Sequence, residues 1–280
     1  MATYELRPMA VGEILDAGFG ILRRHFGVVL SLAVIALAVP TALSLYVEFS
    51  GGVVARPGLW VLGQLLSGAG YLVVTGATIH VVSEEYLGRA AVLGDALAFA
   101  GAKVWRILVS GFASAMVIGL SVVPAAMALG LVAPVASSGG RGATLLLIVV
   151  GLALLAVPAV VACGYAVVVQ AVTLESLGSA LNGLGRSWTL TKGYRGRIFV
   201  LYLVVFALLT LVSFPFGLVA GMSSTNPLLL VAAAALGVLT MLTYPVVSAV
   251  FTVLYYDLRV RKEAFDLELL SQQLGTTPGA

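Results

Sequence analysis

The sequence predicts an all-α integral membrane protein with six transmembrane helices. Of its 280 residues, 61% are hydrophobic and only 10% are charged. Soluble globular domains average about 45–50% apolar and about 25% charged residues, so this chain has too little charge to cover a water-exposed surface. A bilayer core requires about 20 apolar residues in helical conformation, and the chain contains several stretches of that length.

Six apolar stretches supply the predicted spans. Their approximate limits are 27–47, 59–82, 107–134, 143–172, 198–222 and 227–256. They are apolar on all sides and do not alternate with polar residues, which favours helices over the strands of a membrane barrel. Their interiors hold almost no ionisable side chain, so the sequence lacks the usual sign of a proton or ion relay.

The basic residues are strongly biased to one side of the predicted spans. Six crossings place 13 of the 15 Lys and Arg residues on the side of the termini, and only Arg56 and Arg141 on the other. The positive-inside rule then assigns the first side to the cytoplasm. The sequence therefore predicts a multi-pass protein of the cell membrane with both termini cytoplasmic.

Three similar segments precede spans one, three and five. They are residues 11–17, 93–98 and 177–182, and the span that follows each contains a proline: Pro40, Pro124 and Pro215. The apolar residues of the first recur at helical spacing, which predicts an amphipathic helix lying at the membrane interface. We expect three parallel repeats, each an interfacial amphipathic helix plus a two-span hairpin, at about 8–88, 89–174 and 175–262.

The repeats form a predicted single membrane domain, residues 1–262, followed by a cytoplasmic tail, residues 263–280. Apolar and acidic residues are interleaved from 263 to 270, which predicts a short amphipathic helix that either docks on a partner protein or folds back on the membrane domain. Residues from 272 onward are polar and contain Gly, Thr and Pro, so we expect that part to be disordered.

Three motifs resemble the glycerophosphoryl diester phosphodiesterase membrane-domain family. They are the N-terminal residues 6–27, the central Arg186-Ser187-Trp188-Thr189-Leu190-Thr191-Lys192-Gly193, and the C-terminal residues 254–270. The resemblance implies a stand-alone membrane domain, because the phosphodiesterase barrel found in some relatives requires about 200 or more further residues. It implies no activity for any residue of this chain.

Nine basic residues are candidate contacts for lipid headgroups or partner proteins. They flank the predicted spans at the cytoplasmic side: Arg23, Arg24, Arg186, Lys192, Arg195, Arg197, Arg259, Arg261 and Lys262. Each basic residue near an anionic membrane surface contributes about 1 kcal/mol of attraction. The alternative is that these residues serve only to set the topology.

The sequence contains no pattern that indicates catalysis. His25 and His80 have no second ligand at metal-binding spacing, and neither a nucleophile elbow nor a phosphate-binding glycine loop is present. We therefore expect no enzyme activity, no cofactor and no metal.

The leading hypothesis is a non-enzymatic accessory or scaffold component. Its expected partners are membrane lipids and membrane or cytoplasmic proteins reached through the tail, and not nucleic acid. The alternative is a transporter or lipid-handling protein with a cavity between helices that are kinked by proline.

Overall fold

The computed structural model describes residues 7–137, 140–221 and 227–264 of the chain. Across these ranges the regular structure is entirely helical. The helices are α1 (Val11–Arg24), α2 (Phe26–Phe49), α3 (Gly52–Ala55), α4 (Pro57–Tyr86), α5 (Leu93–Gly130), α6 (Val132–Ser137), α7 (Arg141–Leu154), α8 (Ala156–Gly164), α9 (Val168–Leu174), α10 (Asn182–Thr191), α11 (Arg195–Gly221) and α12 (Pro227–Glu263). The predicted amphipathic tail falls almost wholly outside the described residues.

Six helical segments are long and apolar enough to cross a membrane, which confirms the predicted all-helical class and the number of candidate spans. They are Phe26–Val47, Pro57–Tyr86, Leu93–Ser137, Arg141–Leu174, Arg195–Pro215 and Met241–Glu263. Each exceeds the about 20 residues that a bilayer core requires.

The three predicted interfacial segments have different structures. The first is a separate helix, α1, with Ile14, Ala17 and Ile21 buried. The second is the first turn of α5, which continues without a break into the third span. The third lies before α10, where the Ser179 hydroxyl accepts a hydrogen bond from the Leu181 amide in a turn. The threefold repeat remains a prediction.

The prolines have two effects on the helices. Pro40, Pro124, Pro215 and Pro245 lie inside helices that continue through them. Pro158 instead follows the break at Leu155 that separates α7 from α8. A proline cannot donate the helical hydrogen bond to the carbonyl four residues earlier, so a break in the preceding turn is the expected result.

The chain divides into two compact units. Unit 1 comprises residues 1–107 and 201–280, and unit 2 comprises residues 108–200. In unit 1, α4 packs on α2 and α12, and α12 packs on α1. Small residues allow these close approaches, as is usual between membrane helices: a Cβ atom on Gly70 would collide with the backbone of Ala36.

Candidate functional site

The nine candidate basic residues are divided between the two units. Unit 1 contains Arg23, Arg24, Arg259, Arg261 and Lys262, and unit 2 contains Arg186, Lys192, Arg195 and Arg197. Each unit arranges its own residues around a different structural feature.

In unit 1, the C-terminal end of α1 meets the C-terminal end of α4. Arg24 Nε lies 3.3 Å from Glu85 Oε1, and His25 Nε2 lies 2.8 Å from Glu85 Oε2. Glu85 therefore contacts both residues at the corner where α1 turns into α2. Arg23, the neighbouring cation, is exposed, and among the described residues it has no hydrogen-bond or ion-pair partner.

The N-terminal end of α1 meets the C-terminal part of α12 at Asp257. The Asp257 carboxylate is fully buried and accepts hydrogen bonds from the Met9 amide at 2.7 Å and from Arg261 Nε at 3.0 Å. Arg261 Nη2 also donates to the Met9 carbonyl at 2.8 Å. A buried charge is tolerated only when it is paired and hydrogen-bonded, and these three contacts meet that requirement.

Aromatic contacts join α4 to α12 beside these pairs. Tyr86 and Tyr256 stack with ring centroids 4.7 Å apart, and the Ser83 and Tyr256 hydroxyls share a 2.8 Å hydrogen bond. The ends of α1, α4 and α12 therefore form one continuous region, which we call the charged end of unit 1: Arg23, Arg24, His25, Glu85, Asp257, Arg261 and Lys262. Arg259 makes an ion pair with Glu263 at 3.0 Å, and Lys262 is exposed.

In unit 2, the central motif closes a break in the fourth span. The helix is interrupted between Gly164 and Val168. Ser187 and Thr191, one turn apart on α10, both donate to the Gly164 carbonyl at 2.9 and 3.1 Å. The Ser187 hydroxyl also accepts a hydrogen bond from the Val167 amide at 3.3 Å. Side chains thus satisfy backbone groups that the broken helix leaves without helical partners.

The basic residues of the central motif have local partners. Arg186 Nε lies 2.7 Å from Glu175 Oε2, and the guanidinium of Arg195 lies 3.8 Å from the centre of the Trp188 ring. Lys192 is exposed and Arg197 is half-buried. Arg186 and Arg195 therefore also hold α10 in place, because a cation over an aromatic face and a charged hydrogen bond are both stabilising.

The ion pairs, hydroxyls and aromatic rings of the two units are suited to binding and to packing helices together. Within the described residues, no three His, Cys, Asp or Glu side chains are grouped so that they would hold a metal ion. Cys163 is buried, and the hydroxyls of Ser187 and Thr191 are engaged by backbone groups. Gln170 is buried, and its Oε1 atom has no hydrogen-bond partner in this part of the chain.

Sequence reasoning did not identify Glu85, Asp257, Ser187 and Thr191 as structurally central. Asp257 carried the clearest signal, since it is an isolated acid at the end of an apolar span and needs a partner there. Ser187 and Thr191 are four residues apart, which predicts a shared helix face but not the broken helix that they contact.

Comparison with known protein families gives a match over most of the chain. The model of a family described as Domain of unknown function (DUF7847) matches residues 9–258. No curated protein and no solved structure matches the chain.

Proposed function

We propose that this chain, which belongs to the family described as Domain of unknown function (DUF7847), is a non-enzymatic membrane component that binds anionic lipid at the charged end of unit 1. The observation that carries the proposal is the convergence of the ends of α1, α4 and α12, which are linked by Glu85 and Asp257. In such a component, the lipid-facing surface anchors the protein and the basic residues select the headgroups.

The ion pairs support this proposal because they fix the positions of the remaining cations. Arg24 and Arg261 are engaged by carboxylates, whereas Arg23 is held beside Arg24 and exposed. The backbone at these helix ends is already ordered, so only the Arg23 side chain loses conformational freedom when an anion binds. Each such cation contributes about 1 kcal/mol next to an anionic membrane surface.

Three further statements belong to the proposal. The charged end faces the cytoplasm, as the bias of the Lys and Arg residues indicates. The chain is built from three parallel repeats, and it is related to the glycerophosphoryl diester phosphodiesterase membrane domains through its three motifs. Cysteine labelling tests the orientation: in a Cys163→Ala background, Arg141→Cys is expected to react only with reagent added outside the cell, and labelling from the cytoplasm alone would contradict it.

Lipid retention tests the proposed function directly. The full chain is reconstituted in nanodiscs made of equal parts phosphatidylglycerol and phosphatidylcholine, and the lipids that remain bound after detergent extraction are measured by native mass spectrometry. We expect phosphatidylglycerol to be enriched. The double variant Arg23→Gln with Lys262→Gln is expected to lose that enrichment, while Arg56→Gln keeps it. Equal retention of the two lipids by the unaltered chain would refute the function.

A second candidate function is movement of lipid along apolar grooves. In unit 1, a groove of about 370 Å³ lies beside Pro40 and is lined by Ile35, Val39 and Leu66 among others. Another, of about 540 Å³, runs along α11 beside Phe206 and Phe214. Grooves at proline-containing helices are the feature that favours this candidate. Transfer of a fluorescent phospholipid between the leaflets of proteoliposomes, faster than in protein-free vesicles, is the result it predicts.

A further inference from the structure

We propose that the groove between α1, α2 and α12 in unit 1 binds one anionic phospholipid, with the phosphate on Arg23 and the upper part of one acyl chain beside Pro245. The inference rests on the proposed function and names the site and the ligand. The groove has a volume of about 250 Å³, and its walls include Phe19, Phe26, Leu242, Pro245 and Val246, with Arg23 among the lining residues.

The walls of the groove are rigid. Gly18 brings α1 against α12 so closely that a Cβ atom there would lie 2.9 Å from Val250 Cγ2 and 3.2 Å from Val250 Cα. On the other side, Glu85 holds the corner between α1 and α2 through Arg24 and His25. The groove is therefore present before any ligand binds, which is typical of small-molecule sites.

Of the described residues that line the groove, Arg23 alone is charged. It lies in the last turn of α1, while its neighbour Arg24 is engaged by Glu85. Arg23 is exposed, and in the described part of the chain it has no ion-pair partner, so its guanidinium is available to an anion. Arginine matches phosphate well because its donors form a planar fork.

The remaining lining favours an acyl chain over other occupants. From Leu242 to Val246 the apolar wall extends about 6 Å along α12, which suits part of one hydrocarbon chain. A soluble phosphate would gain nothing from the apolar walls. An extended peptide segment would bring unpaired backbone groups into an apolar groove at considerable cost. A helix, whether from the tail or from a second copy of the chain, is about 10 Å wide and too large for a groove of about 250 Å³. A phospholipid satisfies both the cation and the walls.

The groove beside Pro40 provides an internal comparison. It is larger, about 370 Å³, and all of its lining residues are apolar: Ile35, Ala36, Val39, Pro40, Leu66, Ala69, Gly70 and Val73. An acyl chain that enters it meets no cation from that lining. We therefore expect headgroup selectivity at the groove beside Pro245 and none at the groove beside Pro40.

Binding of two lipids with identical acyl chains tests the assignment. Phosphatidylglycerol and phosphatidylcholine are titrated separately against the full chain in detergent micelles, and bound lipid is measured by native mass spectrometry. Arg23→Gln is expected to weaken phosphatidylglycerol binding about fivefold and phosphatidylcholine binding less, because the choline ammonium offsets the charge of its phosphate. Its control, Arg89→Gln, changes an exposed cation outside the groove and is expected to retain the preference.

Variants of the walls test the acyl-chain contact. Val246→Trp fills the groove and is expected to weaken binding of both lipids, whereas Val39→Trp, in the groove beside Pro40, is expected to keep the preference for phosphatidylglycerol. If Val246→Trp does not fold, Phe19→Ala removes an exposed wall residue and is expected to have the same effect on binding.

The outcomes separate failure of the site from failure of the function. Loss of the preference in Arg23→Gln together with weaker binding in Val246→Trp or Phe19→Ala supports the site. If the unaltered chain prefers phosphatidylglycerol but these variants behave as it does, the site is wrong and the proposed function stands. If the unaltered chain shows no preference for phosphatidylglycerol, both the site and the proposed lipid-binding function are wrong. A dimer mass that Val246→Trp abolishes would overturn the site in favour of an interface between copies.

Discussion

The sixth and third spans show that burial in this protein does not follow hydrophobicity. In the most apolar part of Met241–Glu263, 67% of the residues are buried, compared with 6% in Leu93–Ser137, although the third span is the more apolar of the two. The sixth span buries its polar groups inward: Ser248 donates to the Thr75 carbonyl, and Asp257 meets Met9. Between membrane helices, packing and polar contacts determine association, because lipid is as apolar as leucine.

The largest loss of stability is expected when the buried carboxylate of the sixth span is removed. Asp257→Ala leaves the Met9 amide and Arg261 without their acceptor, and losing one partner of a buried ion pair costs roughly 3 kcal/mol. The free energy of unfolding, measured by denaturant titration in detergent, should fall by about that amount. Glu263→Gln, which alters a more exposed pair, is the control and should cost less than about 1 kcal/mol. Equal effects of the two changes would show that Asp257 does not anchor the span.

A second test disturbs the packing of α1 against the sixth span. Gly18→Leu forces a side chain against Val250, and overpacking of this kind costs about 1–3 kcal/mol. Gly12 lies on the same helix, and a Cβ atom there would meet nothing within 4 Å. Gly12→Leu is therefore the matched control and should be neutral or slightly stabilising because leucine favours helix. Thermal unfolding of the two variants in the same detergent measures the difference, and a Gly18→Leu protein as stable as Gly12→Leu would contradict the close packing.

The fourth span is an intermediate case between the third and the sixth. Most of it is exposed, but the residues on either side of its break are buried. Ser187→Ala removes the acceptor of the Val167 amide and one of the two donors to the Gly164 carbonyl. Thr191 still donates to that carbonyl, so we expect a loss of about 1 kcal/mol in the free energy of unfolding. The control is Thr189→Ala on the exposed side of the same helix. A larger effect of Thr189→Ala would show that α10 does not support the break.

The smallest effect is expected in the third span. The side chain of Phe112 is 70% exposed, so in a micelle Phe112→Ala exchanges one lipid-facing apolar group for a smaller one. Such surface changes usually stay within about 0.5 kcal/mol, and denaturant titration should show no resolved shift. A loss above about 1 kcal/mol would mean that this face is packed against a partner in solution.

The sequence predicts well where helices occur, but it does not predict where one helix ends and where it continues into the next. The six spans follow from composition and length, and α1 follows from the spacing of Val11, Ile14 and Gly18. The similar segment 93–98 forms the start of α5 and continues without a break into the span. Whether a helix continues or turns depends on what it packs against, which a local pattern does not contain.

The candidate site could be predicted in part. The sequence indicated which cations lie at the ends of the spans, because the bias of Lys and Arg is a property of the chain alone. It did not distinguish Arg23 from Arg24, which are adjacent and chemically identical. Only the structure places Glu85, about 60 residues further along the chain, against one of them.

By itself, the sequence determined that the described chain is helical and apolar enough to cross a membrane six times, since hydrophobicity and helix length are sums over neighbouring residues. The tertiary structure decided which spans are buried and which polar groups meet. The Met9 amide and Asp257 are 248 positions apart, and no local pattern pairs them. Their contact depends on α1 folding back along α12 through the close approach at Gly18, so it is a property of packing and not of composition.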